Sequence, residues 1–214
     1  MKSASRRKRQ CRIVLTGAPG AGKTTAADLF RREIGDRVVI VPEAATILFQ
    51  GGFPRSANAS AARRAQTAIF HVQRNLEDVQ CACYPDRVLL CDRGTVDGAA
   101  YWPGDPHDYF KAVETTLEAE LRRYDAVIYF ETAAVGGISI EGNPLRIESL
   151  KQAVALHRKL RALWMRHPRF VFVPHHASFF KKISFGLAAL EGIMNQLWSA
   201  PQPRRINRRR ITSD

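Results

Sequence analysis

Residues 17–24 read GAPGAGKT: a glycine, four residues, then Gly22-Lys23-Thr24. The β-branched run Arg12–Thr16 (RIVLT) precedes them, and a stretch of helical composition follows, from Thr24 to Ile34, stopping at Gly35. No other feature constrains the fold as tightly. Glycines at 17, 20 and 22 let the backbone adopt conformations closed to other residues, so successive N–H groups turn inward as an anion nest. The N-terminus of the helix adds partial positive charge. The spacing matches the P-loop pattern without mismatch, in the strand–turn–helix setting that pattern requires. Gly17, Ala18, Pro19, Gly20, Ala21, Gly22, Lys23, Thr24 and Thr25 are therefore read as a cradle for a polyphosphate. Lys23 is expected to reach the β- and γ-phosphates, and the Thr24 hydroxyl to take a coordination position on Mg²⁺. The motif leaves the fate of the phosphate open: transfer, hydrolysis or binding alone.

The rest of the chain alternates between strand and helix patterns. Strands are expected at Arg12–Thr16, Arg37–Glu43, Arg87–Asp92, Ala126–Glu131 and Arg169–Val173. Helices are expected at Thr24–Ile34, Ala59–Cys83, Tyr109–Tyr124, Leu145–His167 and Phe179–Trp198, with loops at 51–54 and 93–107. Four of the five strand candidates are near-continuous apolar runs, which suits strands buried on both faces of a parallel sheet. The expectation is one α/β domain over residues 12–198, a three-layer P-loop NTPase fold with helices on both faces of the sheet.

Charge is unevenly placed. The 214 residues carry a formal net charge of +13, of which +6 falls in residues 1–12 and +4 in residues 201–214, leaving +3 for the body between. Residues 1–11 and 199–214 are read as basic, flexible tails, polar and without a core-forming period. Such tails suit contact with nucleic acid or with an anionic membrane surface. Cys11, Cys81, Cys83 and Cys91 form no C-x-x-C pair, which is the pattern of free thiols in a reducing compartment. The pair His175–His176 lacks zinc-ligand spacing and is read as structural. No apolar run approaches the length of a membrane helix, so a cytoplasmic protein without a transmembrane segment is expected.

Further chemistry gathers where strands end. Asp92 closes VLLCD, the position of a Walker-B-type carboxylate, and is read as the second metal anchor beside Thr24. Arg93 follows at once and is suited to stabilise charge on a transferring phosphoryl group. Glu43 ends the second strand, where a carboxylate can accept the proton of an attacking hydroxyl. Asp97 competes for that role, and either acid can instead hold a substrate hydroxyl. On the long helix, Arg63, Gln66, Phe70, Gln73 and Glu77 recur at three- and four-residue spacing and share a face suited to a small polar ring or sugar. Arg63, Gln73, Asp97 and Tyr101 are the candidate substrate contacts.

The segments GAPGAGKTT, VPEAA, CDRGTVDGAAY and GNPLRIES, in that order, resemble the small P-loop proteins grouped as the NadR/Ttd-like AAA domain. That group includes a ribosylnicotinamide kinase domain and the nucleotide-binding domain of a TRPL-translocation-defect protein. The resemblance spans roughly Arg12 to Trp198. It implies a five-stranded sheet ordered 2-3-1-4-5, as in nucleoside and nucleotide kinases. It also implies that Glu43 serves as base or substrate anchor and that Asp92-Arg93-Gly94 is the acid–Arg–small motif. A mobile segment after the fourth strand would carry Arg146 as a catalytic arginine, with Gly136, Gly137 and Gly142 supplying freedom.

Two function classes follow. One is an ATP-dependent kinase acting on a small hydroxyl-bearing, nucleoside-like acceptor, with Lys23, Glu43, Asp92, Arg93 and Arg146 as the catalytic set. The other is a regulatory ATP- or GTP-binding module attached to membrane or nucleic acid through its tails. The guanine-reading Asn-Lys-x-Asp signature is absent, which favours ATP. A motor of the AAA+ type is not expected, because the chain is short for the additional lid domain.

Overall fold

The computed structural model describes residues 10–136 and 150–199. Five strands form one sheet: β1 (Arg12–Thr16), β2 (Val38–Val41), β3 (Val88–Asp92), β4 (Ala126–Phe130) and β5 (Phe170–Val173). All neighbours are parallel, and the spatial order is β2-β3-β1-β4-β5. Strand β1 is central, with Leu15 in register with Asp92 on one side and with Ile128 on the other. The loop leaving β1 therefore emerges between the carboxyl ends of β3 and β4.

The helices are α1 (Lys23–Ile34), α2 (Ala44–Gln50), α3 (Ala59–Cys83), α4 (Asp97–Tyr101), α5 (Pro106–Ala112), α6 (Leu117–Leu121), α7 (Leu150–Trp164) and α8 (Phe179–Ser199). Side-chain alternation along β1 shows how they divide. Ile13 and Leu15 pack with Ala26, Ala27 and Phe30 of α1 and with Leu190 and Met194 of α8. Val14 packs on the opposite face, among Phe70, Ala99, Tyr109, Leu160 and Trp164 from α3, α4, α5 and α7. Both faces are dry, which explains why the strands read as continuous apolar runs.

Local signals account for several helix ends. Asn58 caps α3, its Oδ1 accepting from the amides of Ser60 (2.9 Å) and Ala61 (3.2 Å). Asp105 caps α5 ahead of Pro106, whose missing N–H costs nothing at the first helical position. Gly35 ends α1 with φ 70°, and its amide bonds back to Arg31.

Three expectations change. The expected helix Tyr109–Tyr124 is two short helices, α5 and α6, joined through Thr116, which turns extended (φ −129°) and caps α6. The loop expected over 93–107 contains α4, and α2 follows β2 directly. At five and seven residues these helices are below the length at which local propensity alone sustains a helix, so tertiary contacts decide them. Among the described residues, no helix is long and apolar enough to cross a membrane.

Candidate active site

The loop Gly17–Gly22 has the glycine geometry its spacing demands. Gly17 adopts φ 144°, and a β-carbon there would lie 2.2 Å from the Phe130 carbonyl oxygen. Gly20 and Gly22 hold φ 77° and 81°, the left-handed region where other residues are strained. Gly22 delivers the chain into α1 without a side-chain cap, leaving the first amides of the helix to an anion.

Lys23 is 4% exposed and donates from Nζ to the Ala18 carbonyl at 3.4 Å. Burial, with Arg93 nearby, lowers its pKa from 10.5 to about 7, against the opposing pull of Asp92, Glu43 and Asp97. An anion arriving in the nest would restore the ammonium form. Thr24 Oγ1 donates to Asp92 Oδ2 at 2.7 Å. The other oxygen, Asp92 Oδ1, is buried without a hydrogen-bond partner, and desolvation raises the carboxyl's pKa. An orphaned carboxylate oxygen beside a hydroxyl suits a hard cation that fills its remaining positions with water and phosphate oxygens. Thr24 and Asp92 thus fit Mg²⁺. Among the described residues no group of three or more His, Cys, Asp or Glu forms an all-protein metal cage.

Arg93 occupies the left-handed region (φ 73°), unusual for a residue with a side chain. Its amide extends the sheet by bonding to Leu15 O at 3.0 Å. Its guanidinium is held on three sides: Nε pairs with Glu43 Oε1, Nη1 donates to Asp97 Oδ2 at 2.9 Å, and the Tyr101 ring lies 5.4 Å from Cζ. Glu43 also accepts from Thr46 Oγ1 at 2.7 Å. Although burial opposes it, Arg93 and Lys23 together with these hydrogen bonds lower the Glu43 pKa to about 2.

Asp97 is 4% exposed, and its oxygens accept from Thr16 Oγ1 (2.9 and 3.0 Å), Trp164 Nε1 (2.6 Å) and Arg93 Nη1. The carboxylate lines the cavity and also holds the Arg93 guanidinium in place. Behind this loop, Thr95 anchors its amide to the Tyr124 hydroxyl (2.8 Å) and its own hydroxyl to Glu120 (2.7 Å). Tyr124 in turn donates to Glu77, which is 0% exposed and paired with Arg123 at 2.7 Å. Glu77, expected on the substrate face of α3, belongs to this buried network.

One cavity of about 450 Å³ joins Lys23 and Thr24 to Glu43, Arg93 and a wall of Phe49, Gln66 and Phe70. Gln73 and Tyr101 also line it, as does Asp97. Gln73 donates from Nε2 to Glu77 (3.3 Å) and to the Arg93 carbonyl (3.4 Å), so its amide nitrogen is already engaged. Arg63 lies outside the lining: it is exposed, donates to the Pro103 carbonyl at 3.3 Å and faces the Trp102 ring. Arg146, Gly137 and Gly142 fall outside the described residues. Sequence reasoning missed Trp164 as a partner of Asp97, and Phe49 with the stacked Arg55 at 4.1 Å as part of the wall. Nothing in local spacing marks the first, while the apolar run Ile47–Phe49 before Gly51 is the signal for the second.

Comparisons with known proteins bear on the family and the fold. A family model described as "AAA domain" matches residues 12–180. No curated protein matches the chain. Thymidylate kinase from Ehrlichia chaffeensis is similar in structure, with a TM-score of 0.59 over 87% of this chain and 98% of that one, at 12% identity. At that identity the likeness is one of fold.

Proposed function

The chain belongs to the AAA domain family of P-loop NTPases, and on that premise we propose an ATP-dependent phosphotransferase that moves the γ-phosphoryl group to a small hydroxyl-bearing, nucleoside-like acceptor. One observation carries the reading. The phosphate cradle and an amide- and aromatic-lined wall share a single cavity, with Arg93 and Glu43 between them.

The inward amides of 17–24 and the Lys23 ammonium would hold the donor phosphates. Thr24 and Asp92 would hold Mg²⁺, which when bound neutralises charge on the β- and γ-phosphate oxygens. Arg93 is pre-aimed by Glu43 and Asp97, so it can meet developing charge without reorganising. The acceptor oxygen bonds to the γ-phosphorus as the bond to the bridging oxygen breaks and ADP leaves. The hydroxyl proton passes to the Glu43 carboxylate and from there to solvent. A carboxylate with a pKa near 2 is a weak base, yet in a loose phosphoryl-transfer transition state the hydroxyl proton is lost late. Glu43 therefore acts first by orienting the hydroxyl and second by accepting its proton. The resemblance to a ribosylnicotinamide kinase domain makes ribosides the first acceptors to test.

The test is release of ADP from Mg·ATP across a panel of nucleosides, ribosides and sugars, with mass spectrometry of the acceptor. Stimulation by one acceptor class, lost in Lys23→Ala, is expected. Hydrolysis that no acceptor stimulates would overturn the reading in favour of an NTPase.

A further inference from the structure

The outer side of the phosphate loop is stapled from elements that no P-loop pattern contains. Inward-facing amides require outward-facing carbonyls, and buried carbonyls need partners. Thr132, just past β4, donates from Oγ1 to the Pro19 carbonyl at 2.6 Å. Lys182, on the first turn of α8, donates from Nζ to the Ala21 carbonyl at 2.8 Å and to the Glu131 carbonyl at 2.6 Å. Phe179, one turn earlier, covers Gly22: a β-carbon there would be 2.7 Å from its ring.

Lys182 is 3% exposed, and its Nζ is held by two backbone carbonyls and faces the Phe130 ring at 5.9 Å, with the Glu131 carboxylate acting on it only through its charge. Burying an ammonium is costly, and burial lowers its pKa to about 8. A methionine would fill this space more cheaply. What only the cation provides is a pair of charge-assisted bonds that tie the loop's Ala21 carbonyl to the Glu131 carbonyl past β4, together with a positive charge behind the nest.

We propose that Lys182 is a positioning residue for the donor nucleotide, holding the phosphate loop in its anion-binding conformation before any ligand arrives. Thr132 shares the work at Pro19. The inference rests on the donor-site reading of the loop and not on the identity of the acceptor.

The experiment is calorimetric binding of Mg·ATP and of inorganic tripolyphosphate to the full chain, alongside thermal melts. Lys182→Met is expected to weaken both ligands roughly tenfold or more, because a charged hydrogen-bond donor is removed. Lys182→Arg, which keeps the charge, is expected to recover most of that loss. In turnover, the KM for ATP rises while the KM for the acceptor stays put. Weakening of ATP alone, with tripolyphosphate unaffected, would overturn the proposal, since Lys182 would then act on the base. So would a lowered melting temperature with unchanged affinity, the signature of a purely structural lysine. If Lys182→Met does not fold, the nearly isosteric Thr132→Val carries the test: it loses the Pro19 bond and the longer one from the Ala134 amide, and unchanged affinity for both ligands would sink the idea. A wild-type chain that binds neither ligand would instead remove the donor-site reading itself.

Discussion

Lys23 and Glu43 line the same cavity, and each shifts the other's titration in a way that can be measured. Lys23, with a pKa of about 7 in the unliganded protein, is largely neutral at pH 8, whereas a bound polyphosphate favours the ammonium. Nucleotide binding at pH 8 should therefore take up a proton, and affinity should fall as pH rises from 7 to 9. Calorimetry in two buffers of different ionisation enthalpy reads the uptake directly. Glu43 shows the opposite sign. Its folded pKa of about 2 lies below the ordinary 4.5, so its contribution to stability is complete above 4.5 and is lost as pH falls from there toward 2. Glu43→Gln should flatten that part of the acid-denaturation profile. The same variant should cut turnover about a hundredfold or more while leaving nucleotide affinity close to wild type.

At the scale of elements, the helices after β3 hold Arg93 by close approach more than by propensity. Gly98 lies in α4 with the Tyr109 hydroxyl 2.5 Å from where a β-carbon would be, and that hydroxyl is itself bonded to the Thr95 carbonyl at 2.7 Å. A ring anchored at both ends cannot yield. Gly98→Ala should destabilise the fold by about 1–3 kcal/mol, read from the denaturant midpoint. Helix α3 divides its sequence-defined face three ways. Gln66 lines the cavity, Arg63 points to Pro103 outside it, and Glu77 is sealed beneath. Gln66→Ala should raise the acceptor KM several-fold with the ATP KM unchanged. Arg63→Ala should leave both within about twofold, as for surface substitutions generally.

For the whole molecule, charge and chemistry are separable. Residues 1–9 and 200–214 carry +9 of the formal +13, while the described residues that line the cavity lie between Pro19 and Tyr109. Removing both segments should leave nucleotide affinity and melting temperature unchanged. Retention on heparin or on anionic vesicles, if the full chain shows it, should weaken and lose most of its salt dependence. Loss of nucleotide affinity on truncation would instead tie the segments to the site.

The phosphate loop, the parallel sheet and Asp92 at a strand end were legible in the sequence because each depends on local pattern: glycine spacing, continuous apolar runs, an acid closing a buried strand. Glu43 and Arg93 were legible as neighbours of strand ends, though not as partners of each other. Their pairing, the bonds of Thr16 and Trp164 to Asp97, and the turn of Arg63 toward Pro103 depend on contacts between residues far apart in the chain. Spacing along one helix tells which side chains share a face, but only the packing of that helix on α4, α5 and the sheet tells what the face meets. Lys182 marks the limit most clearly. Within FFKK it reads as ordinary surface charge, and only the fold, by bringing α8 against the loop, turns it into a buried cation on two backbone carbonyls.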